Sequence, residues 1–345
     1  MSAGITAAML VMNRTDTRPP LYVEPIDGTD GEDYGTDGLP DIIEVEKPDD
    51  DEEESGRIPL RTNFLFVGVD NQWLADAIIV GTFYRESGDI RFMSIPRDMV
   101  VRIPTHRMEQ MRADGLRPPS ILKVNELRSH GGRTDGILYL KDQISEMLGV
   151  EFDFHVEVDL PAFRRIVDAI GGVEMYIPQR MFYEGLDQNP PLRINVPAGL
   201  QLLNGEMAEG VVRYRLYPMG DLQRNAVQME FMTLLIQQAT TREALLNDPA
   251  EIIRTLLENV RSDIGMNAFL YIPYIPRVSA DSVTTFTMPG SVGGVAISST
   301  ERREFFIPDT ERLPAVISDI FYNVPETPQE DGEEEIEEIE QENDN

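Results

Sequence analysis

Residues 63–95, NFLFVGVDNQWLADAIIVGTFYRESGDIRFMSI, hold three short apolar runs separated by polar punctuation. The first, 63–69, is closed by Gly68 and Asp70; the others are 75–83 and 90–95. Runs of this length, rich in Val, Ile and Phe, read as buried strands, and their succession reads as neighbours in one sheet. Pro96-Arg97-Asp98 follows the third run directly. Arg97 and Asp98 therefore stand at a strand end, a common address for sites in α/β folds. Outward from this core the pattern alternates. Residues 100–104 read as a short edge strand, 105–121 as loop, and 134–148 as an amphipathic helix ended by Gly149. FDFHVEV (152–158) alternates like a strand, 160–170 is a helix closed by Gly171-Gly172, and 173–177 is another strand. Residues 240–264 read as helical, 283–288 and 303–307 as late strands, and 310–322 as a last helix. His155 falls inside an alternating strand, where it is expected to be structural. Strands and helices that alternate without a repeat predict one α/β domain with a mixed sheet and helices on both faces, a three-layer α/β/α arrangement.

The stretch VVRYRLYPMGDLQRNAVQ (211–228) carries the chemistry. Val211, Val212 and Tyr214 have strand character, which puts Arg213 and Arg215 on one strand face. Asp221 suits the N-cap of a helix over 222–238, and Asp221, Arg224 and Gln228 share one face of it. Strand end and helix start would then present three guanidiniums and an amide to one point. Guanidiniums meet phosphate oxygens two at a time and stay charged at any working pH, and a helix N-terminus adds its own preference for anions. A pocket for a di-anion such as pyrophosphate is one reading; surface arginines paired with the chain's many carboxylates is the other.

The 345 residues carry a net charge of −31, unevenly spread. Residues 1–56 contribute −13 and residues 326–345 contribute −11, so 57–325 keeps only −7. Polyanionic flanks of this kind are expected to be disordered. The charge also argues against nucleic acid as a partner, since a phosphate backbone needs basic surface. There is no cysteine, which removes disulfide and thiolate chemistry and fits an exported protein. The apolar run SAGITAAMLVM (2–12) is well below the roughly 20 residues needed to span a bilayer, and no basic region precedes it. It reads either as the outer end of a membrane anchor or as a weakly helical start. Residues 13–56 read as an acidic, self-repelling linker.

Five stretches in order resemble the LytR-CpsA-Psr family: FLFVGVD (64–70), SIPRDMVVRIP (94–104), KVNELRSHGG (123–132), VEVDLPAFRRIVDAIGGVEMYIP (156–178) and LLNGEMAEGVVRYR followed by GDLQRNAVQ (202–228). The resemblance covers roughly 60–240, with a looser match to about 322. It implies an α/β/α domain over 57–325, outside the plasma membrane and associated with it, flanked by the linker and the acidic tail. It implies transfer of a glycopolymer from a polyprenyl-pyrophosphate carrier to peptidoglycan. It further implies that Arg97, Lys123, Arg213, Arg215, Arg224 and Gln228 bind the pyrophosphate, that Asp70, Asp76 and Arg97 are catalytic, and that Asp70 and Asp76 hold Mg²⁺. Phosphoryl transfer asks mainly for positioning and charge neutralisation, which suits that set.

The chain departs from the family in two places. Asp70 and Asp76 are separated by a short loop without the arginine that usually precedes the second acid, and Val227 stands where an arginine is frequent. Three functional readings follow: a glycopolymer phosphotransferase, a non-catalytic polyprenyl-phosphate binding module, and a transcriptional regulator. The acidic charge and the lack of a basic helix-turn-helix disfavour the third.

Overall fold

The structure, a computed structural model, describes residues 33–34, 60–185, 191–217, 220–240, 254, 256–279, 281–298 and 301–324. In chain order the elements are β1 (Asp33–Tyr34), β2 (Arg61–Val69), β3 (Ala75–Tyr84), β4 (Ile90–Ser94), β5 (Val100–Arg102), α1 (Thr105–Ala113), β6 (Ile121–Lys123), α2 (Val124–His130), α3 (Gly136–Leu148), β7 (Phe154–Asp159) and α4 (Leu160–Ala169). There follow β8 (Val173–Ile177), β9 (Met181–Gly185), β10 (Leu192–Val196), β11 (Gly199–Leu203), α5 (Gly205–Arg213), α6 (Gly220–Ala239), β12 (Arg261–Ser262), a 3-10 run (Gly265–Arg277), β13 (Val283–Thr287), β14 (Gly290–Ala296), β15 (Arg302–Pro308) and α7 (Leu313–Phe321).

The three runs of 63–95 are neighbours in a six-stranded sheet of order β12-β7-β2-β3-β4-β13. β2, β3 and β4 pair antiparallel, whereas β7 joins β2 and β13 joins β4 in parallel. The sheet is mixed, as expected. On β2, Leu65, Val67 and Val69 alternate with Phe64, Phe66 and Gly68, so the two faces are filled by different sets. The first set joins Ile78, Val80 and Met93 beneath Met111, Leu140, Ile144 and Ile317 of α1, α3 and α7. The second set, with Ile79 and Phe92, meets Met229, Met232 and Ile236 of α6, and Phe163 of α4. Helices thus cover both faces, giving three layers.

Three expectations need correction. Residues 211–213 are helix, not strand. Asn204 caps α5 by accepting a hydrogen bond from the Met207 N–H, and the apolar residues Ala208 and Val211 then recur at helical spacing and bury. Burial of that stripe outweighs the β preference of Val211 and Val212. Tyr214 lies just beyond the helix with extended backbone. The second correction is α1, which occupies much of the stretch read as loop. It anchors through Arg107, Met108 and Met111, with buried Arg107 paired to Glu146 at 2.6 Å. The third is in 240–264, where helix over 256–259 gives way to β12, which pairs antiparallel with Glu157 and Val156. The acidic flanks 1–56 and 326–345 lie outside the described residues, except for β1, which pairs in parallel with Gly294 and Val295. The side chain of Asp221 is also outside them.

Candidate functional site

The C-terminal ends of β2 and β7 and the start of β3 meet α4, α5 and α6 around a cleft. Val69, Asp76 and Asp159 line it at the strand ends. Two or three residues further along the strands, Phe66 and Ile79 face it, opposed by Phe163, Phe231 and Met232. One wall is therefore apolar. Arg213, Arg215, Arg224 and Gln228 line the same cleft. Arg213 is the last residue of α5 and Arg215 lies just past it, so the helix end delivers what a strand was expected to deliver.

Arg97, Lys123, Arg213 and Arg215 each meet a carboxylate. Arg97 Nη1 donates to Asp76 Oδ1 at 3.1 Å, and Arg215 Nη2 stands 3.7 Å from the same oxygen. Arg97 Nε lies 3.9 Å from Asp98 Oδ1, which also takes Lys123 Nζ at 3.0 Å. Lys123, Asp98, Arg97, Asp76 and Arg215 thus form a row of alternating charge leading into the cleft. Lys123 and Arg97 join the site through that row, not by lining the cleft. Arg213 Nη1 donates to Glu209 Oε1 at 2.8 Å, and buried Glu209 also takes Arg164 Nε. One arm of the Arg213 fork is thus fixed by Glu209. Arg224 is buried one turn from Gln228 on α6. Gln228 Nε2 donates to the Val212 carbonyl at 3.0 Å and so locks α6 against α5.

Asp70 is placed differently. Its Oδ1 accepts from the N–H groups of Gln72 at 2.8 Å and Leu74 at 2.9 Å, closing the short loop between the two acids. Within that loop Trp73 has φ 64°, a left-handed conformation that costs a bulky residue about 1–3 kcal/mol. Asp76 lines the cleft, whereas Asp70 serves its loop from the neighbouring strand end. Among the described residues no group of three or more His, Cys, Asp or Glu is placed to hold a metal ion. Two cleft features were missed from sequence. Asp159 has its Oδ1 on the Ala162 N–H as the cap of α4, with Pro161 behind it, and Asp-Leu-Pro was a readable cap signal. Glu209 and Arg213 are an i,i+4 pair that reading 211–213 as strand concealed, and Arg164 meets Glu209 only in the folded chain.

The LytR_cpsA_psr family model matches residues 44–317. The chain belongs to this family. Among its curated relatives, a probable cell wall biosynthesis protein, LcpB, of Corynebacterium glutamicum is 30% identical over 54% of this chain and 44% of its own. The polyisoprenyl-teichoic acid–peptidoglycan teichoic acid transferase TagT of Bacillus subtilis is 25% identical over 64% of this chain and 62% of its own. The chain thus spans about half the length of these relatives. Among solved structures, B. subtilis TagV aligns with a TM-score of 0.62 at 20% identity, over 78% of this chain and all of that one. TagT bound to LI-WTA aligns with a TM-score of 0.57 at 21% identity, over 82% of this chain and 96% of that one. At these identities the structural likeness speaks to the LytR_cpsA_psr fold. Among the described residues no helix is long and apolar enough to cross a membrane.

Proposed function

We propose that this chain transfers a glycopolymer from a polyprenyl-pyrophosphate carrier to peptidoglycan, outside the plasma membrane and next to it. The observation that carries this reading is one cleft lined by Phe66, Phe163, Phe231 and Met232 and also by Arg213, Arg215 and Arg224. A polyprenyl chain needs apolar wall, at about 0.8 kcal/mol for each CH₂ buried. A pyrophosphate needs guanidiniums, which bind its oxygens bidentately. The names of the curated relatives support the same reading.

In this mechanism the prenyl chain lies along the apolar wall with the pyrophosphate at Arg213, Arg215 and Arg224. The acceptor hydroxyl passes its proton to a carboxylate, for which Asp76 lines the cleft. The hydroxyl oxygen bonds to the sugar-linked phosphorus, the bond from that phosphorus to the bridging oxygen breaks, and polyprenyl phosphate departs. The guanidiniums neutralise the charge that gathers on the bridging and equatorial oxygens. Gln228 and Glu209 act by positioning, through Val212 and Arg213. Asp76 and Asp70 would hold Mg²⁺, an ion that favours one or two carboxylates over an all-protein cage. When bound it supplies further positive charge at the phosphates.

One observation favours a second reading as a binding module. The Asp70 Oδ1 is already taken by two N–H groups of its own loop. Mass spectrometry of lipid extracted from the purified protein, with a turnover assay on a lipid-pyrophosphate donor, tests both. Polyprenyl phosphates with turnover support the transferase, and the same lipids without turnover support the binding module. No polyprenyl lipid and no affinity for an analogue defeat both.

A further inference from the structure

A second cleft opens on the other face of the sheet. His155 and Glu157 on β7 pair with Leu65 and Val67 of β2 and so share their face, opposite Phe66 and Gly68. Together with Arg133, Thr134, Arg261 and Ser262 they line an open cleft. Next to it stands Trp73, with three guanidiniums over its ring: Arg261 at 4.2 Å, Arg128 at 5.0 Å and Arg133 at 5.4 Å from the centroid.

The carboxylates here are already satisfied. Glu157 is buried and takes Arg128 through Nε and Nη2, the latter at 3.0 Å, and Arg261 through Nη1 at 3.1 Å. Asp263 takes Lys141 Nζ at 3.2 Å and the His155 backbone N–H at 2.7 Å, and lies 2.9 Å from His155 Nδ1. Four cations, Arg128, Arg133, Lys141 and Arg261, thus face two carboxylates. In a chain of net charge −31 such a local excess of positive charge stands out. The exposed guanidinium of Arg133 has the Trp73 ring as its partner and makes no hydrogen bond among the described residues. Arg261 uses only Nη1, and its side chain is 54% exposed. Thr134 lies on the same lining, whereas the Ser262 hydroxyl donates to the His155 carbonyl. Guanidinium donors beside a hydroxyl match a planar or tetrahedral oxyanion. The indole in the middle of this cluster belongs to the one non-glycine residue with positive φ among the described residues, and such outliers gather at ligand sites.

We propose that this cleft is an oxyanion-binding site, separate from the one at Arg213, Arg215 and Arg224, which takes a carboxylate or phosphate group of a polymer. Arg133 and Arg261 grip the oxygens, and Thr134 adds a hydroxyl donor. That the polymer belongs to the cell wall rests on the function proposed above; the anion site itself does not.

Trp73 is the only tryptophan in the chain, so its fluorescence reports this site directly. The full chain would be titrated with inorganic phosphate and with acetate at constant ionic strength held by chloride. A saturable change is expected. Arg133→Gln should weaken it about tenfold or more, as loss of a charged hydrogen-bond partner predicts, and Arg261→Gln likewise. Arg215→Gln should leave it in place. Tighter phosphate would assign a phosphate ligand and tighter acetate a carboxylate, and either supports the site. Among the described residues the Arg133 guanidinium has no hydrogen-bond partner to lose, so its variant should melt with the parent and decides the matter even if Arg261→Gln fails to fold. A response that chloride reproduces overturns the proposal. So does one that Arg215→Gln abolishes and Arg133→Gln spares, which would put the phosphate in the first cleft and leave the proposed function untouched.

Discussion

Replacing Arg213 by lysine keeps the charge and removes the fork. In the structure one arm of that fork, Nη1, is committed to Glu209 at 2.8 Å, which leaves the remaining donors to reach a pyrophosphate. A lysine ammonium is a single point and cannot hold Glu209 and two phosphate oxygens in the same geometry. The expected loss is that of a hydrogen bond to a charged group, about 1.5–3 kcal/mol, or roughly 10–150-fold in Kd. Arg224→Lys should lose as much, because its guanidinium is buried against the same cleft. The assay is titration of a polyprenyl-pyrophosphate analogue against parent and variants, with and without Mg²⁺, beside a melting curve for each. If both variants melt normally and bind the analogue as tightly as the parent, the pyrophosphate does not sit at these arginines and the mechanism above is wrong.

Asp70→Asn keeps an oxygen for the Gln72 and Leu74 N–H groups, so the loop should persist while turnover falls; Asp70→Ala should also lose about 1–2 kcal/mol of stability, as when a cap is removed. Equal stability of the two variants would count against that division. Glu157→Gln leaves Arg128, which is 0% exposed, without its counter-charge. A cost of about 3–5 kcal/mol follows, read as a fall in melting temperature on the order of 10 °C, and an unchanged Tm would contradict it. Burial holds the His155 imidazole below its ordinary pKa, with Asp263 opposing. The folded chain therefore binds fewer protons than the unfolded one in the window from about 6.5 down to the folded value. Stability from neutral His155 is present above that window and lost as pH falls through it. Denaturant melts at two pH values on either side of about 6 should show this, and His155→Asn should flatten the dependence; identical slopes would speak against it.

The strands of 63–95 were readable because period and composition agree: each run is apolar enough to be buried on both faces, and nothing distant has to intervene. Gly149, at φ 67°, ends α3 where the sequence placed the stop, since only local backbone freedom is involved. Family membership was equally legible, because the motifs are contiguous. The same reading failed at 211–213. There Val211 and Val212 favour a strand locally, and the Asn204 cap with the burial of Ala208 and Val211 decides for a helix.

What the sequence by itself determined is the mixed α/β architecture and the family; Arg97, Lys123, Arg213, Arg215, Arg224 and Gln228 it offered as candidates for an anion. Only the tertiary structure decided how they are shared out. Arg97 and Lys123 meet Asp76 and Asp98 across elements, Arg215 reaches Asp76, and Glu209 takes Arg164 from another helix. The gathering of Arg128, Arg133 and Arg261 around Trp73 likewise depends on elements far apart in the chain. The physical reason is range. Periodicity and caps are set by neighbours a few residues apart, whereas a charge takes its partner from whatever the packed sheet and helices bring within a few ångströms.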